Sequence, residues 1–158
     1  MNVIKTITFI FILFSNFNAT AAEVLPEFNF PDINEKTHSI SEWKGKTLVI
    51  NFWATWCQPC LKEIPDFVQL QTEFAKNNVQ FIGIAIDELS AVKIYTNTVA
   101  INYPTLISSE WEGFNLAQQL GNSSNTVPYT VVVNSEGRII YRHAGAVKKD
   151  DLITSFKN

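Results

Sequence analysis

The sequence predicts an α/β sandwich, with a mixed central β-sheet flanked by helices and preceded by a short N-terminal hairpin. Three observations point there. Residues 47–53 (TLVINFW) and 79–86 (VQFIGIAI) are near-continuous apolar runs, as expected of strands covered on both faces. Between them Leu61, Ile64, Phe67, Val68, Leu70 and Phe74 recur at helical spacing, while Lys62, Glu63, Asp66, Gln69 and Gln71 fill the other face. Beyond residue 128, two strand-like runs bracket Asn134-Ser135-Glu136-Gly137 and a helical stretch follows, so a hairpin and a helix close the sheet. With 158 residues, 46% hydrophobic and 17% charged, the chain can build one ordinary core without a disulfide staple.

The elements follow in order. Residues 1–22 read as an export signal: Lys5 gives a weakly positive start, residues 7–14 form a short apolar run, and Ala19-Thr20-Ala21-Ala22 offers small residues for cleavage. That run is shorter than the roughly 20 apolar residues that span a bilayer, so cleavage is the expectation and retention as an anchor the alternative. Residues 23–158 then form a single domain. Pro26, Pro31 and Asn34 punctuate a hairpin or edge strands over 24–39. The helix after the first buried strand should run from Pro59 to about Lys76, bend at Pro65 and stop at Asn77-Asn78. Ser90 is the N-cap candidate for a helix reaching about Ile101. Next come a short strand over 103–107, a helix over 111–120 ended by Gly121, and a polar loop over 122–126. Hairpin strands over 129–133 and 138–143 and a helix over 148–156 complete the chain. Trp111 and Phe114 read as core. Asp87, at a strand end, reads as a turn or cap residue, with membership of a ligand site as the other reading.

The formal net charge is -3, and loss of the leader removes Lys5 and no acid, leaving 11 basic residues against 15 acids. No basic field exists to attract nucleic acid, which is excluded as a partner class. His38 and His143 stand alone without metal-ligand spacing, so no metal site and no cofactor are expected.

The only cysteines, Cys57 and Cys60, lie within WATWCQPCLKEIP at the junction of the first buried strand and its helix. A bridge closing so small a loop removes little entropy from the unfolded chain, and zinc would need two further ligands, so a redox pair is the better reading. At a helix start, unpaired N–H groups and the dipole favour a thiolate on Cys57, with Cys60 one turn behind to resolve a mixed disulfide. Pro59 suits the first turn, where its missing N–H costs nothing.

Phe52-Trp53-Ala54-x-Trp56-Cys57-x-Pro59-Cys60, with Pro65 five residues on, resembles the active-site strand and helix of the thioredoxin superfamily. Thr126-Val127-Pro128-Tyr129-Thr130 resembles its cis-proline loop, and Gly137 and Gly145 fall where its last hairpin carries glycines. The resemblance covers essentially all of residues 23–158 and implies a thioredoxin-like three-layer sandwich. The stretch between Cys60 and Pro128 is longer than in a minimal thioredoxin, which implies a central insertion over residues 90–121. That insertion, export and Glu63 after the motif resemble the TlpA/ResA group of envelope thiol-disulfide oxidoreductases. The resemblance implies a periplasmic disulfide reductase acting on protein clients, in cytochrome c maturation or related thiol reduction. It would be re-reduced by a membrane thiol electron donor, and a monomer is expected.

Residue roles follow from the same likeness. Val127 beside a cis Pro128 would offer backbone to an extended client, and Trp56 an apolar contact. Trp53 would pack beneath the site. Asn51 stands where thioredoxin has a buried aspartate; it is either a hydrogen-bonded core amide or orders a water near Cys60. Glu63 either replaces that acid as proton shuttle or is a solvated helix residue. Neutral Gln58 and the acid of Glu63 both argue for a potential nearer about -270 mV than about -120 mV. Two other functions compete: a thiol peroxidase, for which Ala54-Thr55-Trp56-Cys57 lacks the Thr-x-x-Cys arrangement, and a copper(I) carrier, for which the cysteine spacing is one residue short.

Overall fold

The computed structural model describes residues 24–157; the expected leader lies outside them. A small antiparallel hairpin pairs β1 (Asn29–Pro31) with β2 (Thr37–Ser39), and a 3-10 turn, Ile40–Trp43, follows. The main elements are β3 (Thr47–Trp53), α1 (Gln58–Phe74), β4 (Val79–Ile86), α2 (Leu89–Val99), β5 (Thr105–Ser108), α3 (Glu110–Gln119), β6 (Tyr129–Val133), β7 (Ile139–Ala144) and α4 (Lys149–Lys157). Their strands form one sheet in the order β5-β4-β3-β6-β7. The pairs β3–β4 and β4–β5 are parallel, and β3–β6 and β6–β7 antiparallel. This is the mixed sheet of a thioredoxin-like sandwich, and α2, β5 and α3 lie in the stretch that connects β4 to β6.

Alternation along β3 decides what lies on each face. Leu48, Ile50 and Phe52 pack with Ile82, Ile84 and Leu116 under α3 and the N-terminal hairpin. Val49 faces the other way, into a cluster with Phe67, Leu70 and Leu152 from α1 and α4. Trp53, on that same side, joins Ile64 of α1 and Val92 of α2. Each such side chain, fully buried, contributes about 1.5–3 kcal/mol. The sheet is thus central because both its faces are apolar.

Several local expectations change in the fold. The α2 helix starts at Leu89 with Glu88, not Ser90, at the cap position, because Glu88 is still extended and its carbonyl already accepts from Val92 N–H. The strand expected over 103–107 lies at Thr105–Ser108, since Tyr103 and Pro104 form the approach to it. Trp111 is not core: it is 75% exposed. The buried side of α3 is Gly113, Leu116 and Ala117, and Trp111 lies about 200° from Gly113 around the helix. Phe114 is partly buried against the core. Gly113 is what seats α3 so closely, for a Cβ there would lie 2.4 Å from Ser108 Oγ and 2.6 Å from Ile86 Cγ1.

The α1 helix runs through Pro65 without a break. Proline cannot donate to the carbonyl four residues back, and that carbonyl, on Leu61, accepts instead from the Tyr95 hydroxyl at 3.2 Å. A side chain of α2 thereby completes the ladder of α1.

Candidate active site

Strand β3 ends at Trp53, and a turn closed by Cys57 N–H on the Ala54 carbonyl (3.2 Å) delivers Cys57 to the N-cap of α1. Its Sγ accepts from the Cys60 N–H at 3.3 Å, the place an N-cap serine or aspartate oxygen would fill. Pro59 sits in the first turn, as its fixed φ favours. The pair is oxidised, with S–S 2.04 Å and Cα–Cα 5.3 Å. Cys57 keeps 4% of its surface and Cys60 none, so the first cysteine is the more open, though less than an exposed nucleophile would be. The bond points each sulfur at the other, and Trp53, Ala54, Ile64 and Ala85 enclose them.

Trp53 is fully buried and packs on Tyr95 at a ring distance of 5.4 Å, whereas Trp56 is 62% exposed. The turn between them is anchored by Asp87: one carboxylate oxygen accepts from Thr55 N–H (2.8 Å) and Thr55 Oγ1 (2.5 Å), the other from Glu88 N–H (2.7 Å). Asp87 is thus a turn residue that braces the approach to Cys57. Nothing in the sequence pairs positions 55 and 87; their neighbourhood follows from β3 lying beside β4.

Glu63 is buried, at 4% exposure, rather than on the polar face. Its two oxygens accept from Asn51 Nδ2 at 3.0 Å and from Val147 N–H at 3.0 Å. Burial pushes its pKa up to about 7, against the opposing pull of those two donors. The signal was present in the sequence: Glu63 shares a helical stripe with Phe67, Leu70 and Phe74, at intervals of four, seven and eleven residues. Asn51, paired across the sheet with Thr130, also donates to Thr130 Oγ1 at 3.1 Å, while its own Oδ1 has no partner among the described residues. The two residues weighed separately in the sequence are therefore one hydrogen-bonded unit.

The Val127–Pro128 peptide is cis and Pro128 is buried. Val127 packs against the cluster that holds both cysteines, so the loop and the disulfide meet. The preceding polar loop is more ordered than its composition implies. Asn122, 1% exposed, donates Nδ2 to the Thr126 carbonyl at 2.8 Å and accepts from Ser124 Oγ at 3.1 Å. It clasps the segment leading into Val127. Among the described residues, no group of three or more His, Cys, Asp and Glu side chains could hold a metal ion, and no helix is long and apolar enough to cross a membrane.

Comparison with known proteins places this geometry. The Redoxin family profile matches residues 20–156. The thiol-disulfide oxidoreductase ResA of Bacillus subtilis is 28% identical over 116 residues, covering 73% of this chain and 62% of ResA, so this chain spans less than two thirds of that relative. The thioredoxin-like protein YneN of the same organism is 30% identical over 130 residues, covering 80% and 73%. A thioredoxin-family thiol:disulfide interchange protein from Chlorobium tepidum superposes with a TM-score of 0.74 at 32% identity, covering 86% and 94%. The chain belongs to the Redoxin family and is a ResA-like member of the thioredoxin superfamily, with the site of a thiol-disulfide oxidoreductase.

Proposed function

We propose that this ResA-like redoxin is a periplasmic protein-disulfide reductase, exported by its N-terminal signal, that serves cytochrome c maturation or a related thiol reduction. The observation that carries the reading is the pair of cysteines at the tip of α1, where the first sulfur already accepts a helix N–H. In the reduced protein the same N–H and the helix dipole favour a thiolate on Cys57 over one on Cys60.

The Cys57 thiolate attacks one sulfur of a client disulfide, forming the Cys57–client bond and releasing the other client sulfur as a thiolate. Cys60, once deprotonated, attacks Cys57 and expels the second client sulfur. Two electrons pass to the client, whose thiolates take up two protons, and the protein is left with the Cys57–Cys60 disulfide. A membrane dithiol donor restores the pair. Trp56 and the Val127–Pro128 segment hold the client, and Trp53 supports the site from below.

Glu63 is the proton carrier in this scheme. Its pKa of about 7 lets it gain or lose a proton at neutral pH. Asn51 suits both states of that acid: Nδ2 donates to the carboxylate, and a flipped amide would present Oδ1 to the carboxylic acid. The support is geometric, because the pair lies on the face of β3 that Trp53 shares with the cysteines.

A Cys60→Ser variant tests the order of attack. Expressed in the native host, it should accumulate mixed disulfides through Cys57 that a reductant releases. An absence of adducts from a variant whose wild-type parent still exchanges with dithiols would overturn the scheme. The potential of the pair should lie near about -270 mV; a value near about -120 mV would reverse the direction of electron flow.

A further inference from the structure

We propose that the outer face of α3, together with Trp56, is a docking surface for the polypeptide that flanks a client's disulfide, and that it selects segments carrying lysine or arginine beside an apolar side chain. The inference rests on the reductase reading above and names the class of client segment.

Its starting point is two indoles. Trp56 and Trp111 are 62% and 75% exposed, and neither is needed to fill the core. Trp56 adjoins Cys57, where a client disulfide must arrive. Trp111 projects from α3, which Gly113 holds down on Ser108 and Ile86 at the ends of β5 and β4. A cavity of about 390 Å³ extends from Trp56 between Asp87–Glu88 on one side and Ser109–Glu110 on the other. A second, about 490 Å³, begins at the same Glu110 and follows Trp111 and Phe114 to Asn125, in the loop that leads to Val127. The path is therefore continuous with the client-binding end of the molecule. On the far side of Trp111 a third groove is lined by Phe28 and by Glu27 and Glu112.

Charge decides the occupant. The three grooves are lined by five carboxylates and by no lysine or arginine. Lys44 and Lys46 instead line a cavity at the start of β3, the opposite end of the sheet from the cysteines. A segment rich in Asp or Glu would meet uncompensated like charge there. One with Lys or Arg gains electrostatic attraction, and its cations can also stack on the indole faces. On this reading α3 adds client selection to a redox site that β3 and α1 already provide.

The test uses the pre-reduced full-length protein and three synthetic peptides that share one disulfide core flanked by Lys, Gln or Glu, with 2-hydroxyethyl disulfide as a probe too small to reach α3. At low salt the Lys peptide should be reduced about tenfold faster than the Glu peptide, and the ratio should fall to about twofold at 0.5 M NaCl as screening shortens the range of the charges. Combining Glu110→Gln with Glu112→Gln should lower the Lys/Glu ratio about fivefold, and Trp111→Ala should slow the Lys peptide by a similar factor. All should reduce 2-hydroxyethyl disulfide at the parental rate. Glutamine at 112 can still accept from Ser109, as Glu112 does at 2.6 Å, so the α3 cap survives. Equal rates for the Lys and Glu peptides at low salt, with the small disulfide still reduced, would overturn the docking surface and leave the reductase standing. Failure of the parent on every disulfide would overturn both. Sedimentation of the parent and Trp111→Ala proteins addresses a second copy as occupant: a dimer abolished by the substitution would also overturn the inference.

Discussion

Replacing Glu63 with glutamine should flatten the dependence of folding stability on pH between about pH 4.5 and 8. In the unfolded chain this carboxyl ionises near its ordinary value of 4.5, whereas burial holds it to about 7 in the folded protein. The native state therefore binds more protons than the unfolded one across that interval, and stability falls as pH rises through it. Below the interval the group is neutral in both states. Above it both are ionised and the full loss has been taken. At about 1.4 kcal/mol per tenfold change in the proton equilibrium, the loss is about 3 kcal/mol, a large fraction of the roughly 5–15 kcal/mol that stabilises an ordinary domain.

Glutamine cannot ionise, so the difference between variant and parent isolates this one group and cancels every other titration. The amide can keep its oxygen on Val147 N–H and turn its NH2 to the Oδ1 of a flipped Asn51, so the variant should start no more than about 1 kcal/mol less stable at pH 4.5. By pH 8 the order should be reversed. Urea unfolding of the two oxidised proteins at pH 4.5, 6 and 8, extrapolated linearly to water, measures the difference directly. If it stays constant within about 0.5 kcal/mol, the folded state does not raise the pKa of Glu63, and the case for it as a proton carrier near neutral pH collapses.

Two further substitutions probe the supports of the site. Tyr95→Phe removes the hydroxyl that serves the Leu61 carbonyl and should cost about 1 kcal/mol by chemical denaturation. In a Pro65→Ala background, where a backbone N–H becomes available to that carbonyl, the same change should cost measurably less; equal costs in the two backgrounds would show that the pair is not coupled. Asp87→Ala frees the N–H and hydroxyl of Thr55 together, so it should destabilise the oxidised protein by about 1–3 kcal/mol and slow reduction of even small disulfides. An unchanged rate in the folded variant would mean that the turn before Cys57 holds its shape without Asp87.

Short-range features were legible along the chain. Buried strands announce themselves by unbroken apolar runs, and β3 and β4 lie at the expected residues. The position of both cysteines at a strand-to-helix junction follows from the same local reading, as does the end of α3 before Gly121, which takes φ +101°. Phase around a helix was harder. Trp111 is apolar and reads as core by type, yet the small residues Gly113 and Ala117 lie on the side of α3 that faces inward. Glu63, charged, reads by type as part of the polar face of α1, as a proton shuttle or a solvated residue, although its spacing from Phe67 and Leu70 puts it on the buried stripe.

By itself the sequence determined the sheet, the order of its helices and the chemistry at the tip of α1, because strand burial, helix periodicity and capping depend on residues only a few positions apart. Only the tertiary structure decided the partners: Glu63 with Asn51 and Val147, Thr55 with Asp87, Leu61 with Tyr95, contacts that span 12 to 84 residues. Such pairs depend on strand register and on how closely each helix seats against the sheet. A register shift of one residue would turn Asn51 to the opposite face with no change in local propensity.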